Sequence, residues 1–128
     1  MPHVFEYALL RAVPRQERGE FMNVGVIVYC RDLDFLCAKT YVDGERLRAL
    51  DPLLDVEMLE TSLKHLTNSC DGTPDAGPVS RTTVGQRFRW LTAPRSTIVQ
   101  TSPAHTGFTE NPSAEVTRLF EALVLPPR

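Results

Sequence analysis

From residue 4 to residue 13 the chain alternates. Phe5, Tyr7 and Leu9 point one way; Val4, Ala8, Leu10 and Ala12 point the other, with Glu6 among them. A period of two marks a strand, and Pro14 stops it. Residues 15–19 are polar and end in glycine, so they read as an exposed turn or loop. A second strand is expected over residues 20–30. Its Val24, Val26 and Val28 fall on one face and Gly25, Ile27 and Tyr29 on the other, which leaves no solvated side and argues for a central position. Gly25 weakens such a strand unless another backbone or a bulky side chain needs the space. Residues 31–34 turn the chain and 35–41 return as a third strand. Strands joined by such short connections imply an antiparallel meander.

The period then changes. Asp43 can cap a short helix through Leu47 and Leu50 that ends before Pro52. Asp55 caps a longer one, where Val56, Leu59, Leu63 and Leu66 form an amphipathic stripe. Residues 71–79 are rich in Gly and Pro and form a connector within one domain spanning residues 1–128. Thr83 and Gln86 make a capping box for a helix to about Leu91. Its inward stripe is Val84, Phe88 and Leu91, with Arg87 and Arg89 beside or opposite it. A short strand follows over 97–101, then a loop or broken strand over 102–109. Asn111 and Pro112 open a last helix, with Val116, Leu119, Phe120 and Leu123 inward. The expected fold is a small α+β domain: an antiparallel sheet of three to five strands, a meander at its N-terminus, and helices packed on one face.

With 128 residues, 42% apolar and 23% charged, the chain suits one soluble globular domain. A disordered tail, a collagen-like fibre and a disulfide-dense scaffold are excluded. No window approaches the ~20 apolar residues of a membrane span, and the N-terminus lacks the pattern of a secretory signal. The net charge is −2, but it is unevenly spread. Residues 76–109 contain no Asp or Glu and carry Arg81, Arg87, Arg89 and Arg95. That segment faces either an anionic ligand or an acidic face of its own domain. The three cysteines, Cys30, Cys37 and Cys70, form no metal-ligand pattern, so no metal is expected. Cys30 and Cys37 could face each other across a hairpin; in a reducing compartment they serve as small buried apolar residues, and a cytoplasmic location is expected.

Catalysis requires a nucleophile, an acid–base pair or a metal within mutual reach. None of the phosphate-binding, dinucleotide, zinc-protease or nucleophile-elbow motifs occurs, and no cofactor is expected. His65 reads as a helix-surface residue. His105 stands among donors, with Arg95, Ser96, Gln100, Ser102, Thr106 and Gly107 nearby in sequence, a composition that suits anion recognition or a solvated loop. Glu6 and Glu20 are expected in ordinary ion pairs with Arg11 or Arg18. The stretch Arg87-Phe88-Arg89-Trp90 interleaves cations with aromatics, and Arg95 follows, as in surfaces that hold phosphate and stack bases. Against this, Phe88 and Trp90 read as core, and the same arginines equally suit an acidic protein surface.

Three motifs stand out, of which the second and third are specific together and neither is alone. Y-A-L-L-R-A-V-P (7–14), R-G-E-F-M-N-V-G-V (18–26), and R-F-R-W-L-T-A-P-R-S-T (87–97) with S-P-A-H-T-G (102–107) resemble the bacterial domain-of-unknown-function family numbered 3037. The resemblance covers nearly the whole chain. It implies no activity, substrate or cofactor and no catalytic residue. Because members are often encoded beside a protein resembling HipA-type kinases, it implies a protein partner.

The polar members of these motifs, Arg11, Arg18, Glu20, Asn23, Arg95, Ser96 and His105, lie at strand ends or adjoining loops. If the first two strands and 97–101 are neighbours, Arg11, Arg95 and His105 could gather in a pocket for phosphate or carboxylate. Alternatively Arg18 and Glu20 tie down a loop while Asn23 satisfies a buried backbone group. The sequence therefore points to a non-enzymatic interaction or regulatory module, with Arg11, Arg87, Arg89, Trp90, Arg95, Ser96 and His105 as the contact or ligand face and a HipA-like kinase as the partner. The alternative is a binder of a phosphate-bearing ligand or nucleic acid through the arginine-rich segment; a small enzyme using His105 is the third reading.

Overall fold

The spine of the sheet is β1 (His3–Ala12), in a computed structural model that describes residues 1–71, 82–95 and 97–127. Along one side it pairs antiparallel with β2 (Met22–Cys30), which in turn pairs with β3 (Phe35–Thr40). Along its other side lie two short strands in tandem: β4 (Val99–Thr101) opposite 10–12 and β5 (His105–Thr109) opposite 3–7. The result is a five-stranded antiparallel sheet with the expected meander β1-β2-β3. Between the strands come α1 (Gly44–Leu50), α2 (Val56–Asp71), α3 (Val84–Leu91) and, last, α4 (Pro112–Leu123). The connector at 71–79 lies outside the described residues apart from Asp71, the last residue of α2.

The break between β4 and β5 has a specific chemistry. Pro103 has no N–H to give a ladder and cannot continue it. Ser102 closes the gap instead. Its N–H donates to the Leu9 carbonyl at 2.9 Å, and the Leu9 N–H donates to Ser102 Oγ at 2.8 Å. A side-chain hydroxyl thus stands where a ladder carbonyl would be, and Ser102 is buried to 2% exposure.

The sheet is covered on both faces. Ala8, Leu10, Ala12, Ile27 and Tyr29 pack against Leu47 of α1, Leu59, Leu63 and Leu66 of α2, and Phe88 and Leu91 of α3. Phe5, Val26, Val28 and Cys30 pack on the opposite face against Val116, Leu119 and Phe120 of α4. The expectation of helices on one face therefore holds for α1–α3 and is corrected for α4. The two-sided apolar pattern of β2 has its explanation here: this interior strand is buried on both sides. Its face assignment is corrected at one residue. Leu10 pairs with Gly25 but Arg11 pairs with Asn23, so Val24 is the extra residue of a β-bulge and joins the α1–α3 core rather than following Val26 and Val28. Gly25 is required there, since a Cβ would meet Leu10 Cδ1 and the Lys39 carbonyl oxygen, each at 2.9 Å.

Local signals set the helix starts. Asp43 accepts from the Arg46 N–H, Asp55 from Met58 and Asn111 from Ala114, and Thr83 with Gln86 closes both arms of the capping box. The last apolar stripe ends on Val124 rather than Leu123, which is 38% exposed. Cys30 stands opposite Phe35 and Cys37 opposite Val28, so the two cysteines do not face each other directly and both are free thiols.

Replacing Ser102 by alanine leaves the Leu9 N–H without its acceptor inside the sheet. Such an unsatisfied buried donor costs about 1–3 kcal/mol. Denaturant unfolding of Ser102→Ala should show a lower midpoint at an unchanged slope, the product of the two falling by that amount.

Candidate functional site

The described arginines of the acid-free segment have three different partners. Arg89, near the end of α3, makes two parallel hydrogen bonds of 2.8 Å to the carboxylate of Glu6 on β1. That fork raises the Arg89 pKa further above its ordinary value. Glu6 thus pairs with Arg89, not with Arg11 or Arg18 as expected. Arg87 donates from Nη1 to the Thr82 carbonyl at 2.8 Å, and its Nε is buried. Arg95 lies against Trp90, its guanidinium carbon 4.4 Å from the ring centroid, and donates to the Trp90 carbonyl. Trp90 is half exposed, which corrects its assignment to the core; Phe88, one position earlier, is fully buried as expected. Arg81 and Ser96 lie outside the described residues.

Arg11 and His105 are elsewhere. Arg11 stacks over Phe21 at 4.1 Å and sits beside its cross-strand partner Asn23. The Asn23 amide donates to the Leu123 carbonyl at the end of α4, so it does satisfy a backbone group. His105 stacks on Tyr7 with ring centroids 5.2 Å apart. Tyr7 and Arg11 are four residues apart on β1, about 13 Å of extended chain. Arg95 is on the α2–α3 side of the sheet. The three groups therefore do not form the common anion pocket the sequence offered. Among the described residues, His105 has no carboxylate or thiol within hydrogen-bonding reach.

Charged groups on the β1–β2 loop are paired, one within the loop and one with Asp51 at the end of α1. Arg18 bonds Glu20, as expected, and Arg15 Nε donates to Asp51 Oδ2 at 2.9 Å. Asp51 Oδ1 accepts from the Leu53 N–H at 2.9 Å. These residues, with Pro14, Leu50 and Pro52, border a cleft of about 220 Å³. The Leu53 N–H and then Arg15 hold the Asp51 carboxyl below its ordinary range. Burial acts in the opposite direction on two thiols, raising Cys37 and pushing Cys70 up to about 12.

Two features remain uncommitted. The first is a cavity of about 400 Å³ between α2, α3 and β4, bordered by Ser69, Leu66, Trp90, Leu91, Arg95 and Val99 among others. The second is the outer edge of β5, which among the described residues pairs only with β1. Beside that edge, Val4 and Phe108 form a cross-strand pair, 51% and 72% exposed. Gly107 lets the Phe5 ring lie directly over the strand from the α4 side, since a Cβ there would sit 2.8 Å from Phe5 Cε1. Of the described site residues, Trp90 and Arg95 come together at the cavity, and His105 lies on β5.

The family model of proteins of unknown function DUF3037 matches residues 7–124. The chain belongs to the DUF3037 family. Curated proteins and solved structures returned no match. For this DUF3037 chain, sequence reasoning missed Ser69 and Phe108. Ser69 had a signal, because it continues the inward stripe three residues after Leu66 yet is polar. Phe108 had a weaker one, the Thr106–Phe108 alternation after a proline break. Among the described residues no helix is long and apolar enough to cross a membrane.

Because the folded-state pKa of Asp51 is depressed, its contribution to stability is complete above the ordinary carboxylate pKa of about 3.9 and is lost as pH falls through the lower folded value. In thermal melts from pH 7 downward, the Tm gap between wild type and Asp51→Asn should be widest at neutral pH. It should close as the pH drops below the ordinary carboxylate range.

Proposed function

We propose that this DUF3037 domain is a non-enzymatic interaction module that binds a protein partner along β5, and that the partner is a HipA-like kinase contributing an extended segment. The observation that carries this reading is the exposed Val4–Phe108 pair at an unpaired strand edge. An edge strand leaves alternate backbone N–H and C=O groups free to bond a further strand, and natural proteins usually blunt such edges with charge, proline or a cover. Here 105–109 contain neither Asp, Glu, Lys, Arg nor Pro. The added strand gains affinity from main-chain hydrogen bonds, while specificity comes from apolar side chains set against Phe108 and Val4. Phe108 has the size and exposure of an interface anchor.

The nucleic-acid alternative draws on four arginines. Arg89 is neutralised by Glu6 and Arg87 is bound to a backbone carbonyl, so less free cationic surface remains than the sequence offered. The reading through His105 as a catalytic group lacks the paired base or nucleophile such chemistry uses.

The test is direct binding of the purified chain to a HipA-like kinase from the same genome, followed by calorimetry. Phe108→Glu should weaken the complex by about tenfold or more, as loss of an interface anchor does, while Trp90→Ala at the cavity rim leaves it unchanged. Failure to form a complex, or equal binding by Phe108→Glu, would overturn the reading.

A further inference from the structure

The cavity between α2, α3 and β4 lies on the α1–α3 face of the sheet, shares no lining residue with β5, and has its own chemistry. Its walls are the apolar side chains of Leu66, Leu91 and Val99. At its border sits Ser69, whose residue exposure is zero and whose Oγ finds no hydrogen-bond partner among the described residues. A buried hydroxyl in a helix commonly bonds the carbonyl one turn earlier, as Thr67 does with Leu63 at 2.9 Å in this same helix. Ser69 does not, and an unsatisfied buried polar atom is costly to keep.

The opposite character appears at the rim. Arg95 lies over the Trp90 ring and uses one of its donors on the Trp90 carbonyl. A guanidinium has five N–H donors, so the others remain for a ligand. It is the one arginine of α3 and the following loop that borders the cavity, and among the described residues it has no carboxylate partner. Exposed His65 borders the same opening from α2. The half-exposed Trp90 indole completes it with a flat apolar surface.

We infer that this cavity is a binding site for a small aromatic acid: a planar ring between Leu66, Leu91 and Val99, its carboxylate on Arg95 at the rim, and a hydroxyl at its far end on Ser69 Oγ. The volume of about 400 Å³ lies at the small end of ligand pockets. A mostly apolar lining with a few placed polar groups is the usual composition of such sites. Paired with a ligand hydroxyl, Ser69 no longer stands unsatisfied, and the stacked Arg95 is already ordered before the anion arrives.

Trp90 is the chain's single tryptophan, so its fluorescence reports the site directly. The probes are 4-hydroxybenzoate, benzoate without the hydroxyl, and 4-hydroxybenzyl alcohol without the charge. 4-Hydroxybenzoate should change the emission saturably and bind about tenfold tighter than the uncharged alcohol, the worth of a charge-assisted hydrogen bond. Arg95→Gln should erase that difference. Ser69→Ala should erase the preference for 4-hydroxybenzoate over benzoate while leaving benzoate binding intact. The same variant should melt no lower than wild type in the absence of probe, because it removes an unpaired buried hydroxyl. Absence of any saturable change up to about 10 mM probe, where affinity is weaker than about −3 kcal/mol, would overturn the assignment. So would charge or hydroxyl preferences that survive the Arg95 and Ser69 substitutions. Phe108→Glu should leave all of these affinities unchanged, so failure here and failure of partner binding are separate results.

Discussion

Everything on one side of β1 depends on how Leu9 is hydrogen-bonded. The strand is ten residues long, and its partners on that side are three and five residues long. A proline falls where the ladder would join them. The Ser102 hydroxyl takes the Leu9 N–H and its backbone returns the bond to the Leu9 carbonyl, so the sheet survives the interruption without an orphaned buried amide. That junction lets the chain change its environment within four residues. β4 runs beneath α2 and α3 and walls the cavity, whereas β5 runs past them and leaves Phe108 in water.

Charge is arranged around the same division. The acid-free stretch supplies one cation, Arg89, to Glu6 on the central strand, and spends another, Arg87, on its own Thr82 carbonyl before α3. One of the two explanations for the charge asymmetry, an acidic group of the domain itself, thus accounts for Arg89. Arg95 is left to the cavity rim, held by an aromatic face rather than a carboxylate. A guanidinium so placed is rigid but not neutralised, which is the condition for recognising an incoming anion.

Most of the elements were legible because they depend on local chemistry. Alternation marked β1 and β2, and Asp43, Asp55, Thr83 and Asn111 marked the helix starts at the residues whose side chains cap them. What escaped was decided by contacts between distant segments. The bulge at Val24 reverses its face, and no periodicity within β2 announces an inserted residue. The placement of α4 on the far face follows from how the chain leaves β5, although the two-sided apolar pattern of β2 required some cover there. Trp90 looked like core as the chain's single tryptophan; it is exposed because the inward stripe of α3 runs through Phe88 and Leu91 and leaves position 90 off that stripe. The cavity joins Ser69, Trp90 and Arg95 from three segments, and sequence order alone does not bring them together. Glu6 found its partner 83 residues away.

The central claim is that the outer edge of β5 is open in the isolated chain while the strand behind it is locked. Residue-resolved amide hydrogen exchange of the free protein tests this most directly. The Leu9 amide and its β1 neighbours should exchange only through global unfolding, and alternate amides of β5 should exchange at rates close to those of exposed backbone. Uniform slow exchange along β5 at low protein concentration would contradict the account, because it would mean that the edge is already covered within the chain itself.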